Sequence, residues 1–417
     1  MLNAGFAREP ITPDSRTLSL AGYDFRNQAG MRGNAGVLDD LYIRCLYLED
    51  DDDTTNCSVV LLSIDICVVL NDYAAMLRSR VAETLGVPVA QVVVHATHTH
   101  SAPIPRAREG ADSDTVAPLE TGSNREEEYA YGDMVCERAV TAAIRSRGHT
   151  VPVDVLHAEG LSALGYNRRV PDGSGGVRMC WSRESQPDLS PQPSPDPVLS
   201  LLVLRPRGGG DDFVLWSTGV HPVTLGKTSR LVSADWPGSA TVSISELLGT
   251  DRVLFLQGAS GEVHPQLATG DTAENRAHLA RCAAAEVSLL YRRRKNGEGT
   301  GASGNGQLDV FEEQVRRSNS VVAITGIRVG PVAIVMSPYE VFASIAREIR
   351  AGIPGPIIPC NLTNGWHGYL PDTEAWKQGN YEVDIARELG TSPNDSVAFT
   401  NALMSVVRTI MHREAAG

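Results

Sequence analysis

No apolar run in this 417-residue chain approaches the roughly 20 residues that a membrane-spanning helix requires. The opening stretch, MLNAGFAREPITPDS, has an early Arg and Glu and no continuous apolar core, so it does not read as an export signal. The seven cysteines, at 45, 57, 67, 136, 180, 282 and 360, include no CxxC pair. An odd, unpatterned set of this kind predicts a reducing, cytoplasmic setting. There is no excess of basic charge. The net charge of -13 argues against nucleic acid or anionic lipid as an electrostatic partner, and stable membrane association is not expected. No internal repeat is visible.

What is present is an ordinary globular balance, with 42% hydrophobic and 21% charged residues. Short runs rich in β-branched residues predict buried strands over Leu41–Leu48, Ser58–Asp65, Gln91–His95, Val198–Leu204, Phe213–Val220 and Arg252–Gln257. Ser318–Val329 and Val332–Ser337, joined by Gly330 and Pro331, predict a hairpin. Helical patterns cover Tyr73–Leu85, Glu126–Ser146, Ala273–Tyr291, Tyr339–Ala351, Val383–Glu388 and Val397–Arg413. Strands and helices alternate throughout, which predicts an α/β or mixed α+β class with mixed sheets flanked by helices. Ala102–Asn124, Val170–Pro197 and Asn296–Gly306 read as long loops, and the acidic tetrad Asp50–Asp53 as a solvated turn. None of these separates two self-sufficient halves, so residues 1–417 are expected to form one large domain.

The residues that carry chemistry sit at predicted strand ends. His95-Ala-Thr-His98-Thr-His100 places three of the ten histidines within six positions, directly after a buried run. In extended backbone His98 and His100 would point to the same side and address one pocket. Imidazole suits zinc, since one neutral nitrogen ligates while the other is oriented by a neighbour. His221 follows Phe213–Val220 in the same way, with Asp235 as a carboxylate that could orient an imidazole. Glu340, after Val332–Met336, could bind metal, but taken by itself it reads first as a carboxylate stabilising a helix N-terminus. Tyr369, in Asn364-Gly-Trp-His-Gly-Tyr369, is by itself a turn residue with aromatic packing.

Taken in order, these segments resemble the catalytic domain of neutral ceramidases. The resemblance runs through Ala4–Thr12, Ser63-Ile-Asp65, Thr97-His-Thr-His-Ser101, Tyr166-Asn-Arg168, His221-Pro-Val-Thr224, Gln257–Pro265, Pro338-Tyr-Glu340 and Asn364–Glu382. It implies Zn²⁺ held by His98, His221, Glu340 and Tyr369, with water activated by the metal attacking an amide carbonyl. It also implies that His100, Arg168 and Tyr381 lie near the scissile bond, with Arg168 and Tyr381 stabilising the oxyanion and His100 moving a proton to the leaving amine. Where that family has a serine proposed to take part in chemistry, this chain has His264, which is read as an acid/base or substrate-binding group or as a turn residue. The family's C-terminal immunoglobulin-like domain is expected to have no counterpart here, because the chain ends soon after Tyr381 with one helical stretch. The expected substrate is therefore a small soluble N-acyl or peptide-like amide and not membrane ceramide. An ester or lactone hydrolase, an acyl-transfer enzyme and a non-catalytic metal- or ligand-binding protein are the alternatives.

Overall fold

The structure is a computed structural model that describes residues 1–50, 57–108, 121–270, 273–297, 302–304, 306–317 and 320–412. It has a mixed α+β architecture of several sheets flanked by helices. The predicted strands are present at nearly their expected bounds, and their continuous apolar character has a physical cause. In Ser58–Ile64, Val60 and Leu62 enter a core shared with helices, while Val59 and Leu61 enter a second core on the opposite face. A strand buried on both faces has no polar side, so its sequence does not alternate. Each fully buried Leu or Val contributes about 1.5–3 kcal/mol relative to exposure.

One strand pattern occurs three times. Leu2–Pro10, Tyr42–Asp50 and Ser58–Ile64 pair antiparallel in succession, and Val92–Ala96 then joins in parallel. The helix Asn71–Leu85 makes that parallel crossover, and Arg125–Arg147 follows it. Val151–Leu161, Val198–Pro206, Phe213–Thr218 and Val253–Gln257 repeat the arrangement, with helices Asp235–Leu248 and Ala273–Lys295. Leu308–Arg316, Val321–Val329, Val332–Met336 and Ile357–Cys360 repeat it again, with Ala343–Gly352 at the crossover and Pro393–His412 packed on the sheet. The first two units join edge to edge through Asn3 and Ala4 opposite Pro152 and Val151. A central core then packs this large sheet against the third unit, drawing Leu48, Leu204, Leu254, Ile334 and Cys360 together. The expectation of no internal repeat is corrected at this level. The repetition lies in strand order and pairing, which very different apolar sequences satisfy equally well.

Some boundaries also differ from expectation. The helix predicted from Tyr339 begins only at Ala343, because Glu340–Val341 pair in parallel with Tyr369–Leu370. The predicted loop Val170–Pro197 contains one arm of a small hairpin, Val177–Met179, paired with Arg169–Pro171. Ser303–Gly304, inside another predicted loop, pairs with Val155 and Leu156. Parts of two of the three predicted loops and of the acidic tetrad, with Ser318, Asn319 and Arg413, lie outside the described residues. Among the described residues no helix is long and apolar enough to cross a membrane.

The segments that leave Val92–Ala96, Phe213–Thr218 and Val332–Met336 converge, and close backbone contact fixes how they do so. Gly219, two residues before His221, lies where a Cβ would come 2.0 Å from the Ala259 carbonyl oxygen. Replacing Gly219 by Ala must therefore push the turn after Val253–Gln257 away from the one that carries His221. Gly219→Ala is expected to cost at least about 1 kcal/mol in denaturant unfolding, as overpacking of a rigid backbone contact does. An unchanged midpoint would show that the two turns are not packed in this way.

Candidate metal centre and its pocket

After Val92–Ala96 the chain leaves the sheet, with the amides of Thr97 and His98 donating to the carbonyls of Ile64 and Ile66. His98 has φ 72, a left-handed conformation that is costly outside glycine. The extended-strand explanation for the common direction of His98 and His100 is thus corrected, since a strained turn brings the two rings together, with Nε2 atoms 3.5 Å apart. His95 faces elsewhere. Its Nε2 accepts from the Gln257 amide at 2.9 Å and its Nδ1 meets Ser63 at 3.1 Å, and burial lowers its pKa to about 3. It ties the last strand of the first unit to the last strand of the second and takes no part in the site.

His98 Nδ1 donates to the Cys67 carbonyl at 2.7 Å, and His221 Nδ1 to the Val263 carbonyl at 3.0 Å. A carbonyl only accepts, so each ring carries its proton on Nδ1 and turns the Nε2 lone pair toward the other. Both Nε2 atoms stand 3.2 Å from the same oxygen, Oε2 of Glu340. Glu340 is 3% exposed, and its other oxygen accepts from Trp366 Nε1 at 3.0 Å. Two lone pairs and a carboxylate oxygen repel one another unless a positive charge sits among them. Burial opposes charge on all three groups. Even so, Glu340 is held well below the usual carboxylate range by the two imidazoles, and His98, although burial lowers it, is raised to about 10 by Glu340 and Cys67 together. His221, which burial lowers to about 4, does not share that charge. The triplet therefore holds one cation, a proton or a metal ion, and its three donor atoms lie within 4.8 Å of one another.

Tyr369 stands directly opposite Glu340 in the short parallel ladder, and its hydroxyl accepts from Arg168 Nη2 at 3.3 Å. Burial first, and then the charge of Glu340, pushes this phenol well above its ordinary pKa, so its ionisation calls for a nearby cation. Arg168 has four of its bonds fixed. Nε donates to Glu382 at 2.7 Å, Nη1 to His264 Nε2 at 2.8 Å, and Nη2 to both the Gly261 carbonyl and Tyr369. The rings of Trp181, Tyr369 and Tyr381 surround its guanidinium at 5.3–5.6 Å.

His264 Nδ1 meets the Trp181 carbonyl at 3.1 Å, so its Nε2 is the acceptor that Arg168 caps. Burial first, and then the Arg168 charge, keeps it well below the ordinary histidine pKa. In this position it holds Arg168. His100 is lowered likewise, by burial and by the neighbouring imidazoles, and Tyr23 packs 4.9 Å from its ring. Gly22, at φ 97, leaves the room that ring needs, since a Cβ there would stand 2.7 Å from it. A cavity of about 470 Å³ opens over these groups, walled by Tyr23, Trp181, Val223 and Tyr381.

All eight residues singled out from the sequence are thus gathered around one pocket. Asp235 is not, which corrects the expectation that it orients an imidazole. It accepts from the Leu225 amide and the Thr224 hydroxyl and so shapes the turn after His221, while Val263 does the orienting. Cys67, Trp181, Trp366 and Glu382 carry no sequence signal of their own beyond lying in or near the quoted segments.

Neither a family model nor a curated protein matches the chain. Among solved structures, neutral ceramidase from Pseudomonas aeruginosa superposes with TM-score 0.76 over 100% of this chain and 75% of that one, at 15% identity. A structure described as ceramidase complexed with C2 gives TM-score 0.76 over 100% of this chain and 76% of that one, at 16% identity. The chain has a neutral-ceramidase-like fold.

Glu382 is fully buried and pairs with both Arg168 and Arg169, at 2.7 and 2.6 Å. Glu382→Gln leaves two buried guanidiniums with no counter-charge and is expected to cost about 3 kcal/mol or more in unfolding free energy. Equal stability of wild type and variant in urea would contradict this reading of the clamp.

Proposed function

We propose that the chain is a zinc-dependent hydrolase that cleaves a linear amide in a small soluble N-acyl or peptide-like compound. The observation that carries the proposal is the convergence of two imidazole lone pairs and a buried carboxylate on one point. Ligands about 2 Å from a tetrahedral zinc ion stand roughly 3.3 Å apart, close to the 3.2 Å from Glu340 Oε2 to each imidazole nitrogen. His98, His221 and Glu340 would hold the metal, with Tyr369 as the fourth ligand. Zinc bound there supplies Lewis acidity, polarising a carbonyl and making water a nucleophile at neutral pH.

The remaining chemistry belongs to side chains of the pocket. His100 presents Nε2 beside the triplet, where it can take a proton from the attacking water and return it to the leaving amine nitrogen. Arg168 has one Nη1 hydrogen outside its four fixed bonds, and with the Tyr381 hydroxyl it can donate to the oxygen that becomes negative. Its Glu382, His264 and Tyr369 contacts hold it in place beforehand, so little reorganisation is needed when charge develops. Tyr23, Trp181 and Tyr381 cover the reacting groups and limit water around them. His264 acts here as a positioning residue for Arg168 and takes no covalent part in the reaction. The neutral-ceramidase-like fold supports an amide as the bond cleaved, and a cavity of about 470 Å³ suits a small compound.

Tyr381→Phe is expected to retain bound metal while lowering kcat on an N-acyl amide by about 100-fold, the usual loss for one oxyanion donor. Matched amide and ester substrates, assayed with wild type, separate amide from ester chemistry. Cleavage of the ester alone would overturn the amide assignment, and unchanged turnover in Tyr381→Phe would remove that hydroxyl from the mechanism.

A further inference from the structure

The wall of the cavity has an uneven charge. Among the described residues no aspartate or glutamate lines it, whereas Arg168 and Lys227 do. Arg168 is spoken for, since Glu382 takes its Nε and the other contacts take most of its remaining hydrogens. Glu382 is in turn shared with Arg169, so this buried cluster has two guanidiniums for one carboxylate and remains net positive. Lys227 differs from Arg168 in having an exposed side chain and no carboxylate of the described residues within 4.0 Å of Nζ. Its neighbour is the Phe25 ring, with Nζ 4.3 Å from the centroid. An ammonium resting on an aromatic face keeps its hydrogens available to an incoming anion.

The backbone before Lys227 is firmly placed. His221 begins the segment His221-Pro-Val-Thr-Leu-Gly-Lys227, and Asp235 fixes its middle by accepting from the Thr224 hydroxyl and the Leu225 amide. Gly226 accepts from the buried Arg26 at 3.4 Å. The lysine thus stands on a braced turn that begins at one of the metal-site imidazoles, on the same cavity as the aromatic walls. In a protein of net charge -13 a cationic pocket of this kind runs against the overall field, so it selects locally for anions.

We infer that the substrate is an amide that also bears a carboxylate, and that Lys227 is the residue that recognises it. The apolar and aromatic body of the substrate lies against Tyr23, Val223, Trp181 and Tyr381, while the carboxylate pairs with the ammonium at the cavity mouth. A single exposed ammonium matches one monoanionic charge, whereas a phosphate dianion is usually met by several donors or an arginine fork. This assignment rests on the amide-hydrolase reading of the same pocket.

The test uses two probe pairs and the zinc-loaded full chain. N-octanoylphenylalanine carries the acid on the amine half and N-phenylsuccinamic acid on the acyl half, and each is compared with its primary carboxamide. Wild type is expected to favour at least one acid over its carboxamide by about fivefold in kcat/KM, the size of an exposed ion pair. That ratio should fall toward one in Lys227→Met, through KM, and invert in Lys227→Glu. The preference should also shrink as salt is raised. Equal kcat/KM for acid and carboxamide in wild type, or a ratio unchanged by Lys227→Met, overturns the inference while leaving amide hydrolysis intact. Calorimetric binding of the same acids distinguishes the opposite case. Lys227-dependent binding of an acid without turnover would sustain the carboxylate site and sink the hydrolase reading. Neither binding nor turnover of either acid would overturn both.

Discussion

Glu340 sits at 3% exposure with an imidazole nitrogen 3.2 Å from its Oε2 on either side, and that arrangement requires a positive charge among the three groups. Each imidazole is locked by a backbone carbonyl with its lone pair facing inward, from Cys67 for His98 and from Val263 for His221. Trp366 holds the second carboxylate oxygen. A buried charge left without compensation costs several kcal/mol, so the surrounding fold must bring all three donors together and supply the cation as well. A proton on His98 would meet the need in the metal-free protein, and a metal ion would meet it with stronger bonds.

The threefold strand pattern explains how one point can be reached from three distant parts of the chain. Each unit contributes from the end of its third or fourth strand: His98 follows Val92–Ala96, His221 follows Phe213–Thr218, and Glu340 follows Val332–Met336. The third unit adds Tyr369, placed opposite Glu340 by the two-residue parallel ladder. The rest of the pocket is built by segments that connect the strands and helices within the units. Arg168 comes from the strands after Val151–Leu161, Trp181 from the irregular stretch that follows, and Glu382 and Tyr381 from a short helix near the C-terminus. The core supplies rigidity, and the connecting segments supply the groups that face the cavity.

The strands were legible because burial on both faces leaves continuous apolar runs, and the helices because they end at signals such as Gly86, which adopts the left-handed conformation at its helix C-terminus. The histidine pair His98 and His100 was legible from its density, yet the reason the rings converge was not. That reason is a turn anchored on Ile64, the last residue of the neighbouring strand, and on Ile66 just beyond it. Glu340 was ambiguous for a similar reason, since a partner 29 positions later, Tyr369, decides that it lies in a ladder and not in a helix. Asp235 misled because its partner is the neighbouring turn at Thr224 and Leu225. The change to His264 became interpretable only when Arg168 was seen against its Nε2. In each case the missing information was a contact between residues apart in the chain, which spacing and composition do not encode.

The most direct measurement is the metal content of the purified chain by elemental analysis, beside His98→Ala and Glu340→Ala prepared identically. The account predicts about one zinc per wild-type chain and its loss from both variants, with the variants still folded by circular dichroism. Wild type that carries no metal and takes up none when zinc is added would contradict it. The triplet would then be a proton-sharing structural cluster inside a neutral-ceramidase-like fold.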